Sequence, residues 1–281
     1  MKKQKFAKSK QLLIFLFTAI SVCFISCMDS SLAEPKSLIV ILKADDLGET
    51  YDNWNEFIKI VNDSGACAGI GIISKNVKTQ TSLNEIRRVS ALRQSNFFPV
   101  IEFWNHGWDH EDIANGTEFK GTDFKYQFEH LKKAQDFFKD SLHIICHSFG
   151  APHNRTSPIT LKVLEKFKEI HVWQLFRKIE NETNKPWIDP DISAFKPSNN
   201  RLMLNIDYLY LYDFKIDRII PNYKNDLKKP YIIIQLHPMN WDTQSFENFK
   251  EMIHFYKEKR RGVFMTPYQY YKYLKKDYIS E

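Results

Sequence analysis

Cysteine is scarce in this chain. Of the four present, only Cys67 and Cys146 fall in the part that reads as folded. Two thiols cannot build a zinc cluster. Both sit in apolar segments that read as separate core strands, so they are expected to be buried and free even in an oxidising compartment. No dense Lys/Arg cluster is present, which excludes a nucleic-acid face. Lys132-Lys133, Lys228-Lys229 and the run from Lys257 to Arg261 read as solvated charges. There is no Pro/Gly/Ser-rich linker, internal repeat or low-complexity tract, so about 245 residues read as one domain, the size of a single (β/α) barrel. Ser148 lacks a Gly-x-Ser-x-Gly elbow, which excludes a serine hydrolase. No apolar run reaches the roughly 20 residues of a membrane span.

What is there begins with Lys2, Lys3, Lys5, Lys8 and Lys10, a basic stretch without an acid, followed by an apolar run from Leu12 to Ile25. This is the layout of a secretory signal. Phe24-Ile25-Ser26-Cys27 resembles a bacterial lipoprotein box. Residues 1–26 are therefore expected to be a lipoprotein-type signal, Cys27 the lipidated residue, 27–36 a short tether and 37–281 the catalytic domain. That implies export to the bacterial cell envelope, anchored in the membrane through an N-terminal lipid on the periplasmic or cell-surface side. The formal charge of +6 includes the five leader lysines, which leaves the remainder near neutrality.

Apolar runs of strand length then alternate with amphipathic stretches. Strands are expected at Leu38–Leu42, Ala66–Ile73, Phe97–Trp104, Leu142–Cys146, His171–Phe176, Ile192–Phe195, Leu202–Ile206, Tyr231–Leu236 and Gly262–Met265. Helices are expected at Asn53–Val61, Leu83–Leu92, Phe124–Phe138, Ile159–Phe167, Phe246–Tyr256 and Tyr268–Leu274. Alternation of this kind predicts an α/β fold with a parallel sheet covered by helices. An open doubly wound sheet would give a similar pattern, and the polar residues decide for a barrel.

Each polar cluster follows directly on a predicted strand: Lys43-Ala44-Asp45-Asp46, Asn105-His106-Gly107-Trp108-Asp109-His110, His147-Ser148 through His153, and His237-Pro238-Met239-Asn240-Trp241. In a barrel all C-terminal strand ends meet on one rim, where active sites are built. Adjacent aspartates raise each other's pKa unless a cation relieves them, although a pair capping a helix N-terminus would look the same. His106 and His110 are four apart, a spacing suited to two ligands of one zinc ion; a pair of surface or core histidines is the plainer alternative. His237 at a strand end is weak evidence by itself. Trp104, Trp108 and Trp241 lie beside these clusters, either stacking on sugar faces or plugging a barrel mouth.

Asp45-Asp46, His106-x-x-x-His110 and Leu236-His237 resemble, in order and over roughly Ser37 to Lys275, the polysaccharide deacetylase family, that is, the NodB-homology domain or carbohydrate esterase family 4. The resemblance implies a distorted (β/α) barrel of about seven parallel strands. It also implies a hydrolase that removes N- or O-acetyl groups from a polysaccharide or oligosaccharide with one divalent metal, zinc. Carried onto this chain, Asp45 is the catalytic base, Asp46, His106 and His110 hold the metal, and His237 is the general acid. Gly107 stands where the family has a loop-ordering hydroxyl residue. The family's Arg-x-Pro-Tyr falls on Gly150-Ala151-Pro152-His153: the proline is kept, the arginine that fixes the base is missing, and His153 replaces the tyrosine, whose backbone N–H helps to hold the oxyanion. Lys43 is a candidate to compensate electrostatically. Arg177 and Asp207 are weak stand-ins for the family's Trp-containing motif, and Trp108 and Trp241 are the substrate-contact candidates. Glu102, Asp109, Glu111, His147 and Asn154 are further polar residues around the motifs. The expected partner is an acetylated glycan. The alternatives are a degenerate glycan-binding member, or a metal hydrolase that cuts another amide, ester or C–N bond.

Overall fold

The computed structural model describes residues 37–49, 52–113, 116–175, 201–210, 213–259 and 261–275. Cys27 with the leader and tether, Arg177 and the expected strand at Ile192–Phe195 lie outside them.

The first strand, β1 (Ile39–Leu47), is buried along almost its whole length. A Val/Ile/Leu run of this kind is stable only when both of its faces are covered. It pairs in parallel with β10 (Tyr231–Leu236), Ile39 opposite Tyr231 and Lys43 opposite Gln235. Beyond β1 on the other side come β2 (Ala68–Ile72), β3 (Ile101–Asn105), β6 (Ser148–Gly150), β7 (Val172–Leu175) and β8 (Leu202–Asn205), while β9 (Tyr208–Leu209) pairs with β10. A short β11 (Val263–Phe264) pairs with the start of β1. β8 and β9 are two pieces of one segment. The Ile206 N–H donates to the Leu175 carbonyl and the Asp207 N–H to that of Ile233, so this segment joins β7 to β10 and the sheet curls back on itself. The result is the expected distorted (β/α) barrel. A two-stranded hairpin, β4 (Asp112–Ile113) with β5 (Gly116–Thr117), stands apart from the sheet.

The helices are α1 (Asp52–Asp63), α2 (Gln80–Ser90), α3 (Phe124–Asp136), α4 (Pro158–Leu164), α5 (Ile219–Asp226), α6 (Thr243–His254) and α7 (Pro267–Lys275). In α1 the buried stripe is Trp54, Phe57, Ile58 and Val61, the spacing read from sequence. Side-chain caps start three others: Thr79 for α2, Asp123 for α3 and Asp242 for α6 each accept a bond from a first-turn N–H. None of the described helices is long and apolar enough to cross a membrane.

Strand alternation sorts β1 into two faces. Val40, Leu42 and Ala44 pack in the large core with Phe57, Phe249 and Ile234. Ile39 and Ile41 belong to a separate cluster with Val172, Leu204, Ile206 and Ile233 from around the sheet and Tyr270 from α7. Lys43 and Asp45 continue that second face towards the C-terminal rim, as Gln235 continues from Ile233.

One expected strand is misplaced. The run Leu142–Cys146 is no strand: Leu142 ends a π-helical turn that continues α3, and Ile145 is 71% exposed. The strand is Ser148–Gly150, which has no apolar run to announce it. His147 thus lies before the strand, stacked on Tyr268 at 3.9 Å, rather than on the rim. Cys67 and Cys146 are buried and free, and burial pushes both thiols well above their usual pKa.

Candidate active site

β1 delivers two adjacent aspartates to the same imidazole, that of His106. Asp46 has a φ of 70°, in the left-handed region, where the β1–β2 register shifts. That turn frees its carboxylate from the pleat while Asp45 stays in the barrel interior. His106, one residue beyond β3, places Nε2 3.0 Å from Asp46 Oδ1, and His110 places its Nε2 3.2 Å from the same oxygen. The His106 Nδ1–H donates to the Gly150 carbonyl at 2.7 Å, which leaves Nε2 as the atom facing Asp46. Burial works to raise the pKa of Asp46, but hydrogen bonds from both imidazoles outweigh it and hold the carboxyl well below the usual range. Burial works to lower that of His110, yet the Asp46 carboxylate more than offsets it, and the value is raised. One carboxylate oxygen and two imidazole nitrogens converge here within 4.8 Å. This donor set fits a divalent metal, and for His106 the Gly150 carbonyl supplies the outer contact typical of a ligating histidine.

Asp45 is buried beside this triad, its Oδ2 3.7 Å from His106 Nε2. Lys43 Nζ donates to both of its oxygens, at 2.6 and 2.5 Å, and Gln235 Nε2 donates to Oδ2 at 2.8 Å. Burial pulls the Lys43 pKa down against the opposing pull of Asp45. On the far side of Asp46, the His237 Nδ1–H donates to the Tyr210 carbonyl at 2.7 Å, and its Nε2 lies 3.6 Å from Asp46 Oδ2. Pro152 opens a short turn in which His153 and Asn154 have φ of 56° and 54°. The His153 ring lies 4.2 Å from that of His110. Four clusters distant in sequence thus meet on one rim.

No protein-family model matches the chain, and no curated protein sequence is significantly similar to it. Solved structures do match. A Mycobacterium smegmatis protein described as a polysaccharide deacetylase superposes with a TM-score of 0.63 at 12% identity, over 89% of this chain and 94% of that one. A family 4 acetyl xylan esterase from Clostridium thermocellum, solved with a cobalt ion, gives 0.54 at 14% identity, over 85% and 92%. A CE4 family pseudoenzyme from Bacillus anthracis gives 0.51 at 12% identity, over 83% of this chain but only 64% of its own. The chain has the CE4 fold.

Within that fold, several expected residues fall elsewhere. Trp241 is 4% exposed and packed against Phe57, Phe214, Phe246 and Phe249, so its faces are closed to a sugar. Trp104 is fully buried as well. Trp108 is half-buried and remains available. Asp207 spends its oxygens on Lys229 and the Ile233 N–H, away from the rim. Ser148 is buried and bonded to Glu102, so it is no nucleophile.

Sequence reasoning missed Gln235 and, above all, Glu118. The Glu118 side chain is wholly buried. Its Oε1 accepts the Trp108 N–H at 2.6 Å and faces His130 Nδ1 at 3.1 Å; its Oε2 accepts the His110 N–H at 3.2 Å. The loop bearing both histidines is therefore gripped from below. Gly107 allows it: its φ is 82°, and a Cβ there would come 2.4 Å from Glu118 Oε2. Only alternation along β10 could have flagged Gln235, and no motif marks Glu118.

Proposed function

We propose that the chain is a metal-dependent deacetylase that hydrolyses acetyl groups from a glycan. The observation that carries it is the meeting of Asp46, His106 and His110 on the rim, with Asp45 on one side and His237 on the other. A divalent ion, zinc in our assignment, held by Asp46 Oδ1 and the Nε2 atoms of His106 and His110, would activate water and polarise the acetyl carbonyl. Asp45, fixed by Lys43 and Gln235, accepts the proton of the attacking water. His237 presents Nε2 to the site because its Nδ1–H is committed to Tyr210, and it delivers a proton to the departing amine or alkoxide. The His153 N–H, in its left-handed turn, is the backbone donor for the oxyanion. Trp108 is the aromatic left for a sugar face. Cys27 anchors the processed enzyme to the envelope.

The pseudoenzyme among the structural neighbours and the glycine at 150 favour a second reading, glycan binding without chemistry. A buried second aspartate, held by two donors beside the metal ligands, serves no purpose in mere binding. Acetate release decides between them. The purified protein, stripped of metal and reloaded with zinc, is presented with acetylated chitin oligomers, xylan, peptidoglycan and surface polysaccharide. Zinc-dependent acetate is expected, with the Asp45→Asn variant slower by ~10²–10⁴-fold as for loss of a general base. Bound zinc without acetate from any glycan would sink the deacetylase.

A further inference from the structure

We infer that Lys43 is the positioning residue for Asp45, holding from β1 the base that an arginine at position 150 would hold in the family pattern the sequence resembles. The inference rests on the assignment of Asp45 as the base. Alternation along β1 puts residues 39, 41, 43 and 45 on the inward face. Lys43 is consequently 0% exposed, and a lysine so placed needs an anionic partner. Its Nζ contacts both oxygens of Asp45 and lies 4.7 Å from the Trp104 ring centroid, a second favourable seat for the cation.

Gly150 is the complement of this arrangement. A Cβ at that position would come 2.8 Å from Trp104 Cζ3 and 3.4 Å from Lys43 Cε. The space into which a side chain at 150 would grow is filled by Trp104 and by the Lys43 stem. An arginine at 150 and the Lys43–Trp104 pair exclude each other, so the glycine marks a relocated cation rather than a lost one. The rest of the grip agrees. Gln235, opposite Lys43 in the β1–β10 register, donates to Asp45 Oδ2. Asn154 Nδ2 donates to Gln235 Oε1 at 3.0 Å, which fixes the Gln235 amide with its nitrogen towards Asp45. Asp45 is thereby tied to β1, β10 and the turn after β6.

The test is Lys43→Met in the full-length protein, with zinc affinity by calorimetry and kcat and KM for acetate release. The expected result is a kcat lower by ~100-fold, the low end for a misplaced base, with KM and zinc affinity within about threefold of the parent. Lys43→Gln, similar in size and still a donor, replaces it if the methionine variant does not fold. A parent that releases acetate and a Lys43→Met variant with the same kcat would overturn the inference and leave the deacetylase standing. If the parent releases no acetate, the deacetylase assignment fails, and a crystal structure of Lys43→Met judges the anchor alone. There the Asp45 carboxylate should swing away from Gln235 while Asp46, His106 and His110 stay in place; an Asp45 that keeps its position overturns the inference.

Discussion

Two clusters of histidine and carboxylate lie on either side of one loop, and both are compact enough to hold a metal ion. In the first, Asp46, His106 and His110 meet at the rim, and Asp46 and His110 are each about a fifth exposed at the side chain. Its three candidate ligand atoms face one another, and among the described residues no backbone N–H is bonded to them. In the second, Asp109, Glu118 and His130, the central carboxylate is sealed, and each of its oxygens already accepts a backbone N–H from the loop that carries His110. Asp109 meanwhile leans towards Lys75 at 3.7 Å. Proximity of ligand atoms is therefore an incomplete criterion for a metal site. What separates the clusters is where the lone pairs are already committed: the first is poised to take a cation, while the second spends its charge on shaping the first.

The strongest way to break this comparison is to count zinc. Asp46→Ala or His106→Ala should abolish tight zinc binding, because two remaining donors do not make a site. His130→Ala should leave the stoichiometry at one. Two zinc ions per chain in the parent, falling to one in His130→Ala, would make both clusters metal sites and end the distinction.

A subtler variant sharpens it. Glu118→Gln is nearly isosteric, but an amide turns one accepting end into a donor, so one of the loop N–H groups would face another N–H. Supports of ligand orientation typically matter by ~10–100-fold in metal affinity, and a loss of that size is expected although Glu118 touches no ligand atom of the first cluster. Gly107→Ala should act in the same direction, since its Cβ would strike Glu118 and Pro152 in a backbone conformation that L residues avoid. Parental zinc affinity in Glu118→Gln would show that the loop stands without its carboxylate.

These cases also mark what the sequence makes legible. β1 and β10 stand out because each opens on a continuous apolar run, as a strand covered on both faces requires, before its polar residues reach the rim. β6 does not, because three residues of mixed character, Ser148–Gly150, form it, while the nearby apolar run is divided between a helical turn and an exposed Ile145. Asp45, Asp46, His106, His110 and His237 could be found because each lies at the end of a strand or in the loop that leaves it, so the barrel topology itself brings them together. Lys43 was visible as a residue but not as a contact. Its role depends on the space left by Gly150 and Trp104, which no single motif encodes. Glu118 works through backbone N–H groups, and any residue type can offer those. Trp241 misled because its place after His237 is also the place where α1 and α6 close over the sheet.

The smallest effect is graded by pH and belongs to the first cluster alone. In the metal-free protein burial lowers the pKa of His110, but Asp46 more than offsets it, so the folded value lies above the unfolded one near 6.5. The sign follows. Protonated His110 stabilises the metal-free fold fully below 6.5, and that contribution is lost as pH rises through the raised value. Zinc needs the lone pair that this proton occupies. Apparent zinc affinity should therefore weaken by about tenfold per pH unit below the raised value and level off above it. Asp46, held ionised, releases no proton on binding. Calorimetry from about pH 5.5 to 8.5, in buffers of different ionisation heat, reads both the affinity and the protons released. The slope should persist in His130→Gln, because the buried brace supplies geometry and not a competing proton. An affinity flat across the window would mean that His110 is already neutral when zinc arrives, and that Asp46 does not hold its proton as the distances in the metal-free site require.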